Sequence, residues 1–210
     1  GQKTKNNMCG IIGAASSRNV GKLLVQGLHK MEYRGYDSAG IALHQKDSIF
    51  NLRTLGKVKL LEDGMIQERP KSKLGIAHTR SATHGKPSQE NAHPHTSSGH
   101  IHIVHNGIIE NYLELREQLT ASGYEFSSET DSEVIAHLLH QHFKVSGNLL
   151  YAMHEAIKEL DGAYAIAAIH VDDKNRLIVA RNKSPLLIGV GIEENFAASD
   201  PLALSQLTNQ

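Results

Sequence analysis

The chain has one cysteine, no tryptophan and no excess of either charge: 22 basic side chains balance 22 acidic ones over 210 residues. A single cysteine rules out an internal disulfide and suits a reducing compartment. Balanced charge leaves no basic footprint for nucleic acid. No apolar run approaches the ~18 residues of a membrane-spanning helix; AYAIAAI at 163–169 is among the longest. Also missing are an HExxH motif, a cysteine pair, an internal repeat, a low-complexity stretch, a linker and a secretory leader. The length fits one domain, or at most two small ones, with room for a sizeable core. These absences point to a soluble, cytoplasmic protein with no nucleic-acid or membrane partner.

What is present begins with the setting of that cysteine, Met8-Cys9-Gly10-Ile11-Ile12-Gly13. Met8 reads as a translation start, and the polar GQKTKNN at 1–7 as a tag or expression scar. Removal of Met8 leaves Cys9 first in the chain, with a thiol and a free α-amine on one residue. That pairing is a nucleophile with its own base. A lone cytosolic cysteine is otherwise a small buried hydrophobe, and both readings stand at this point.

The patterning predicts alternating elements. CGIIGAA (9–15) is a short buried strand. Val20, Leu23, Leu24, Gly27, Leu28 and Met31 mark one helix face, with Asn19 as N-cap and Gly35 closing the end. SAGIALH (38–44) and SIFNLRTL (48–55) are strands around a turn, and 57–67 is a short helix interrupted by Gly64. LGIAHTR (74–80) is a strand leading into a long polar loop, 81–99, of the kind used as a lid or binding loop. HIHIVHN (100–106) is a strand. Segments 111–119, 132–143 and 149–160 are amphipathic helices, the second burying Val134, Ile135, Leu138 and Leu139. Four strands follow, at 163–171, 176–181, 185–190 and 195–199. Strands in two groups with helices between them argue for an α+β fold rather than strict βαβ alternation.

Seven of the 14 histidines fall between His78 and His105, which raises a metal-dependent hydrolase as a rival idea. Zinc needs three or four ligands in fixed geometry, and the alternating His100 and His102 supply only a pair. Other segments carry more information: EYRGYDSAG (32–40), HTRSATHG (78–85), NAHPH (91–95), HNGIIEN (105–111) and ETDSEVIAH (129–137). Each has a bland explanation. Asn106-Gly107 fits a type I′ hairpin turn, and Thr130 with Glu133 fits a capping box in which Asp131 favours the helix dipole. Arg34 fits a surface cation at a helix C-terminus, and HTRSATHG an ordinary polar loop.

Taken together and in this order, the segments resemble the class II glutamine amidotransferases from Cys9 to about Ser205. EYRGYDSAG and ETDSEVIAH draw the resemblance towards the branch that aminates fructose 6-phosphate. It implies a four-layer αββα N-terminal-nucleophile hydrolase fold, with two antiparallel sheets between helices. It implies a glutaminase domain over 8–210 that converts glutamine to glutamate and ammonia through a thioester on Cys9. It further implies that sugar isomerase domains, absent here, use the ammonia to make glucosamine 6-phosphate, and that any dimer belongs to the full-length protein. No cofactor or metal is implied. By the same resemblance Cys9 is the nucleophile, its α-amine the base, and Asn106 with the Gly107 N–H the oxyanion hole. Arg80 grips the α-carboxylate of glutamine with support from Thr83 and His84, and Asp131 meets the α-ammonium. Arg34 positions Cys9, and His93 is a supporting residue without an assigned role.

Two departures bear on that expectation. The family carries tryptophan after the loop arginine, and here the residue is Ser81, so closure over glutamine and retention of ammonia are affected. Residues 1–7, if retained, make the Cys9 nitrogen an amide that cannot act as a base. A non-catalytic amino-acid-binding domain of the same fold, and the glutaminase domain of another class II amidotransferase, stay open as alternatives.

Overall fold

The structure, a computed structural model, describes residues 9–82, 85–205 and 207. Thr83 and His84, and the segment before Cys9, lie outside the described residues. In chain order the first elements are β1 (Gly10–Ser16), α1 (Val20–Lys30), β2 (Ser38–His44), β3 (Ile49–Leu55), α2 (Val58–Glu68) and β4 (Leu74–Arg80). Next come β5 (His95–Ser97), β6 (Ile101–Ile109), α3 (Tyr112–Ala121), α4 (Glu133–Ser146) and α5 (Leu149–Ile157). The chain ends with β7 (Gly162–His170), β8 (Asp173–Asn182), β9 (Leu187–Gly191), β10 (Glu194–Ala198) and α6 (Pro201–Leu204).

β1 can be almost wholly apolar because both of its faces are covered. Ile12 and Ala14 enter one core with α1, α2 and α6, while Ile11 and Ala15 enter another. The period of two repeats along its neighbours. Ala39, Ile41 and Leu43 of β2 and Ala77 of β4 join the helical core; Ala42, Leu74 and Ile76 join the other. These strands form a six-stranded antiparallel sheet in the order β3-β2-β4-β1-β10-β9.

The second antiparallel sheet, β5-β6-β7-β8, divides its residues the same way. Ile101, Ile103, Tyr164, Ile166 and Ala168 pack with α3, α4 and α5, whereas Val104, Ala165, Ala167 and Ile169 meet Ile11 and Ile76 of the first sheet. The result is four layers, helices–sheet–sheet–helices, in the α+β arrangement expected. The two strand groups of the sequence do not each make one sheet, however: β9 and β10 return to the first sheet, beside β1.

Other differences have local causes. Asn19 caps α1 as expected, its Oδ1 accepting from Gly21 N at 3.3 Å, but α1 ends at Lys30. Gly35, at φ 76°, instead closes a 3₁₀ turn over Glu32–Arg34. Helix α2 runs through Gly64 because a Cβ there would lie 2.6 Å from Leu52 Cδ2, so Leu52 fills the space. The 81–99 loop contains β5, which pairs with β6. α6, unforeseen, is capped by Asp200, which accepts from Leu202 N at 2.9 Å.

Candidate active site

Alternation along three strands assembles the site. Inward-facing parity on β1 continues back from Ile11 to Cys9; on β4 it continues from Ile76 to His78 and Arg80; on β6 it continues from Val104 to Asn106. These residues meet at one end of the sandwich, around a small shared cavity. Cys9, Arg80, Ser81, His93, Asn106, Gly107 and Asp131 all line it, joined by His105, Thr130 and Ser132.

Cys9 is held from both sides. Its carbonyl accepts from Arg34 Nη2 at 2.7 Å and from Asn106 Nδ2 at 2.9 Å. Its Sγ accepts from Ser81 N at 3.3 Å and points at Ser81 O at 3.5 Å. Burial pushes the thiol pKa up; the Ser81 main chain and the Arg80 charge pull it back only in part. Both Ser81 contacts are main-chain, so they do not depend on which side chain stands there.

Arg34 is not a surface cation. Its side chain is largely buried behind Cys9 and pairs with Asp200 Oδ2 at 3.6 Å. Asp200 also accepts from the Tyr33 hydroxyl. Nor is Asn106-Gly107 a hairpin turn: both lie within β6, opposite Ala165 and Tyr164. Gly107 has φ 115°, and a Cβ there would sit 2.1 Å from Ala163 O, so the close strand pairing itself demands glycine.

Two buried groups of opposite charge line the cavity. Arg80, 4% exposed, donates to Lys86 O at 3.1 Å and to Gly85 O at 3.4 Å. Asp131, 5% exposed, accepts from Ile109 N at 2.8 Å, which fixes its carboxylate at the cavity wall. The expected capping box does not form. Glu133 instead accepts from Ser127 N at 3.0 Å and Ser128 N at 2.7 Å and contacts His137 at 2.9 Å, while Thr130 Oγ1 turns to His95 at 3.1 Å.

The histidines pack on one another instead of converging as a ligand set. Among the described residues, no group of three His, Cys, Asp or Glu side chains is placed to hold a metal ion. His93 stacks on His78 at 3.9 Å and meets His95 edge-on at 4.6 Å. Its Nδ1 accepts from His105 N at 3.3 Å, and His105 Nδ1 lies 2.7 Å from Ser132 Oγ. His100 and His102 do not share a strand face: His100 lies in the turn before β6, and His102 is buried within it. Gly40 of β2 makes room for this cluster, since a Cβ there would lie 1.7 Å from His93 O.

Sequence reasoning assigned no role to three residues that support the site. His78 lies behind Asn106, with Nε2 3.0 Å from Oδ1. Asp37 accepts from Ala82 N at 2.6 Å, and so anchors the segment whose main chain touches Cys9. Asp200 backs Arg34. Asp37 and His78 lay inside motifs already noticed, and strand parity was the signal for His78; Asp200 had none.

Comparison with known proteins follows from this geometry. Residues 78–206 match the family described as the glutamine amidotransferase domain. The chain is 53% identical over 203 residues to a glutamine–fructose-6-phosphate aminotransferase (isomerizing) of Acinetobacter baylyi, covering 97% of this chain and 33% of that protein. It is 54% identical over 198 residues to the protein of that name from Legionella pneumophila strain Paris, covering 94% and 33%. The chain thus spans about a third of the length of these curated relatives. Among solved structures, glutamine phosphoribosylpyrophosphate amidotransferase from B. subtilis, complexed with ADP and GMP, superposes with a TM-score of 0.79 at 28% identity, over 93% of this chain and 43% of that one. A glutamine aminotransferase class-II domain protein from Silicibacter pomeroyi, 14% identical with a TM-score of 0.61 over 90% of this chain and 88% of that one, shares the fold.

Proposed function

The chain belongs to the glutamine amidotransferase domain family, and from that premise we propose that Cys9 cleaves the side-chain amide of glutamine. One observation carries the reading: the only cysteine opens on the same cavity as a buried cation, a buried carboxylate and a side-chain amide. A guanidinium fork suits the α-carboxylate of an amino acid, and Asp131 suits its α-ammonium. That charge pair selects glutamine over a plain amide.

In this mechanism Sγ attacks the carboxamide carbon. The oxygen, now negative, is met by Asn106 Nδ2 and the Gly107 N–H; one such donor is worth roughly 10²–10³ in rate. The carbon–nitrogen bond then breaks, nitrogen takes a proton and ammonia leaves. Water cleaves the γ-glutamyl thioester, giving glutamate and restoring the thiol. A thiol raised by burial rests neutral, so attack needs a base. The Cys9 α-amine, titrating near ~8 when free, supplies it once residues 1–8 are removed. General-base assistance of this kind contributes about 10²–10⁴.

The relatives are named for transfer of the amide nitrogen to fructose 6-phosphate. We take the ammonia to pass to sugar isomerase domains lying outside this stretch, in a cytoplasmic enzyme whose dimerisation rests on those domains. Thr83 and His84 keep their place in this reading as support for Arg80.

The test is glutamate release from glutamine, by this chain and by a version beginning at Cys9, with N-terminal masses confirmed. Turnover only in the Cys9-first form is expected. Equal turnover in both would remove the α-amine as base, and no turnover in a folded Cys9-first form would overturn the proposal. Neither form should make glucosamine 6-phosphate when fructose 6-phosphate is added.

A further inference from the structure

We propose that His78 sets the orientation of the Asn106 side-chain amide, turning Nδ2 rather than Oδ1 towards Cys9 and the cavity. The inference rests on the reading of Asn106 as an oxyanion donor and adds a positioning residue behind it. His78 touches neither Cys9 nor the substrate cavity.

The argument is one of donors and acceptors. His78 is fully buried between the sheets. Its Nε2 lies 3.1 Å from His105 O and 3.0 Å from Asn106 Oδ1. A main-chain carbonyl only accepts, so Nε2 must carry the ring proton. A protonated Nε2 then requires an acceptor from Asn106, and the amide has just one, Oδ1. With Oδ1 held there, Nδ2 falls on the side of Cys9 and donates to its carbonyl at 2.9 Å. The flipped amide would set N–H against N–H at His78 and oxygen against oxygen at Cys9.

The ring's own surroundings keep this tautomer in place. Nδ1 of His78 has no hydrogen-bonding partner among the described residues, so a proton there would be buried without an acceptor. His93 covers the ring face at 3.9 Å and is fixed in turn, because its Nδ1 accepts the His105 N–H. The main chain of one residue, His105, thus sets two ring tautomers, through its N–H and its C=O. Burial also holds His78 near a pKa of about 3, so the ring stays uncharged at working pH.

The test uses steady-state kinetics with glutamine on the Cys9-first chain, comparing wild type, His78→Leu, His78→Gln, Asn106→Ala and the double variant His78→Leu/Asn106→Ala. His78→Leu is expected to lower kcat about 10–100-fold, less than outright loss of an oxyanion donor, with KM within about threefold. His78→Gln, which keeps an N–H, should recover most of the loss. In the Asn106→Ala background His78→Leu should cost nothing further, because its effect runs through that amide. An equal loss in both backgrounds, or a folded His78→Leu protein with unchanged kcat, would overturn the proposal. If His78→Leu does not fold, ¹⁵N shifts of the wild-type ring decide: an Nε2–H tautomer supports the proposal and an Nδ1–H tautomer overturns it. If wild type shows no turnover, the glutaminase reading has failed, and the same ¹⁵N measurement still judges the His78–Asn106 contact.

Discussion

As the proposed nucleophile, Cys9 carries opposing demands. A nucleophile needs thiolate, yet the cavity wall that excludes water raises its pKa, with the Ser81 N–H and Arg80 opposing. The thiolate is the reactive form, so alkylation of Cys9 by iodoacetamide should quicken with pH and inflect above 9.0, the ordinary value for this thiol. Arg80→Ala removes a cation that favours the thiolate and should move the inflection further up. An inflection at or below the ordinary value would mean the thiol is not desolvated as the structure has it. Ser81 enters differently. Its main chain meets Cys9 whatever side chain it carries, so the tryptophan that the family resemblance puts here would add cover over the cavity without changing the setting of the thiol. Ser81→Trp should therefore lower KM for glutamine while leaving the alkylation inflection unmoved.

At the level of elements, the glycines mark where strands and loops come closest. In Gly107→Ala the Cβ meets a main-chain oxygen of β7 at 2.1 Å, at a φ of 115°. Neither the oxygen nor the dihedral can yield cheaply, so a loss of about 3 kcal/mol, the upper end for overpacking, is expected. Gly147→Ala, after α4, has φ 64° and nothing within 4 Å of the new Cβ. It should cost only about 1–2 kcal/mol, the left-handed backbone penalty alone. Urea midpoints of the two variants measure the difference; equal losses would mean the β6–β7 approach is looser than described. The same positions explain what was legible in the sequence. Short apolar or alternating runs gave away every long strand, while the meeting of Cys9, Arg80 and Asn106 was implied only by the family resemblance, and strand parity accounts for it once the sheets are known. Sheet membership was not legible: the return of β9 and β10 beside β1 depends on long-range pairing that leaves no local mark. Asn106-Gly107 resembled a turn because the dipeptide has the right local conformers, and only the partner strand reveals that the glycine is there for close approach. Asp200 was invisible for a similar reason, since its link to Arg34 spans most of the chain.

Across the whole molecule, the buried histidines couple stability to pH. Burial lowers the pKa of His78 and His95 to about 3 and of His102 to about 4, and pushes His93 well below 6.5. Unfolded, each returns to about 6.5. Between those limits only the unfolded chain binds the proton, so stability is whole above about pH 6.5 and falls as pH drops. Each group contributes a slope of roughly 1.4 kcal/mol per pH unit until its folded form also protonates. Glu133 adds to this lower down. Burial alone would raise its pKa, but His137 and the Ser127 and Ser128 N–H groups bring it to about 2. Its stabilisation is therefore present above about 4.3 and lost as pH falls from there. The urea midpoint should hold between pH 8 and 7, then drop steeply from about 6 to 4. Proton uptake on unfolding at pH 5, from calorimetry in buffers of different ionisation enthalpy, should be at least about four, with His140 and His170, also lowered by burial, adding to it. His102→Gln, remote from the cavity, should remove about one of those protons and flatten the fall while leaving turnover at pH 7.5 unchanged. A midpoint that stays level down to pH 4.5 would mean the histidines are charged or exposed in the folded chain. The neutral ring required behind Asn106 would then be lost as well. The steepness of the acid transition is thus a reading, on the whole molecule, of the same burial that fixes one proton at the active site.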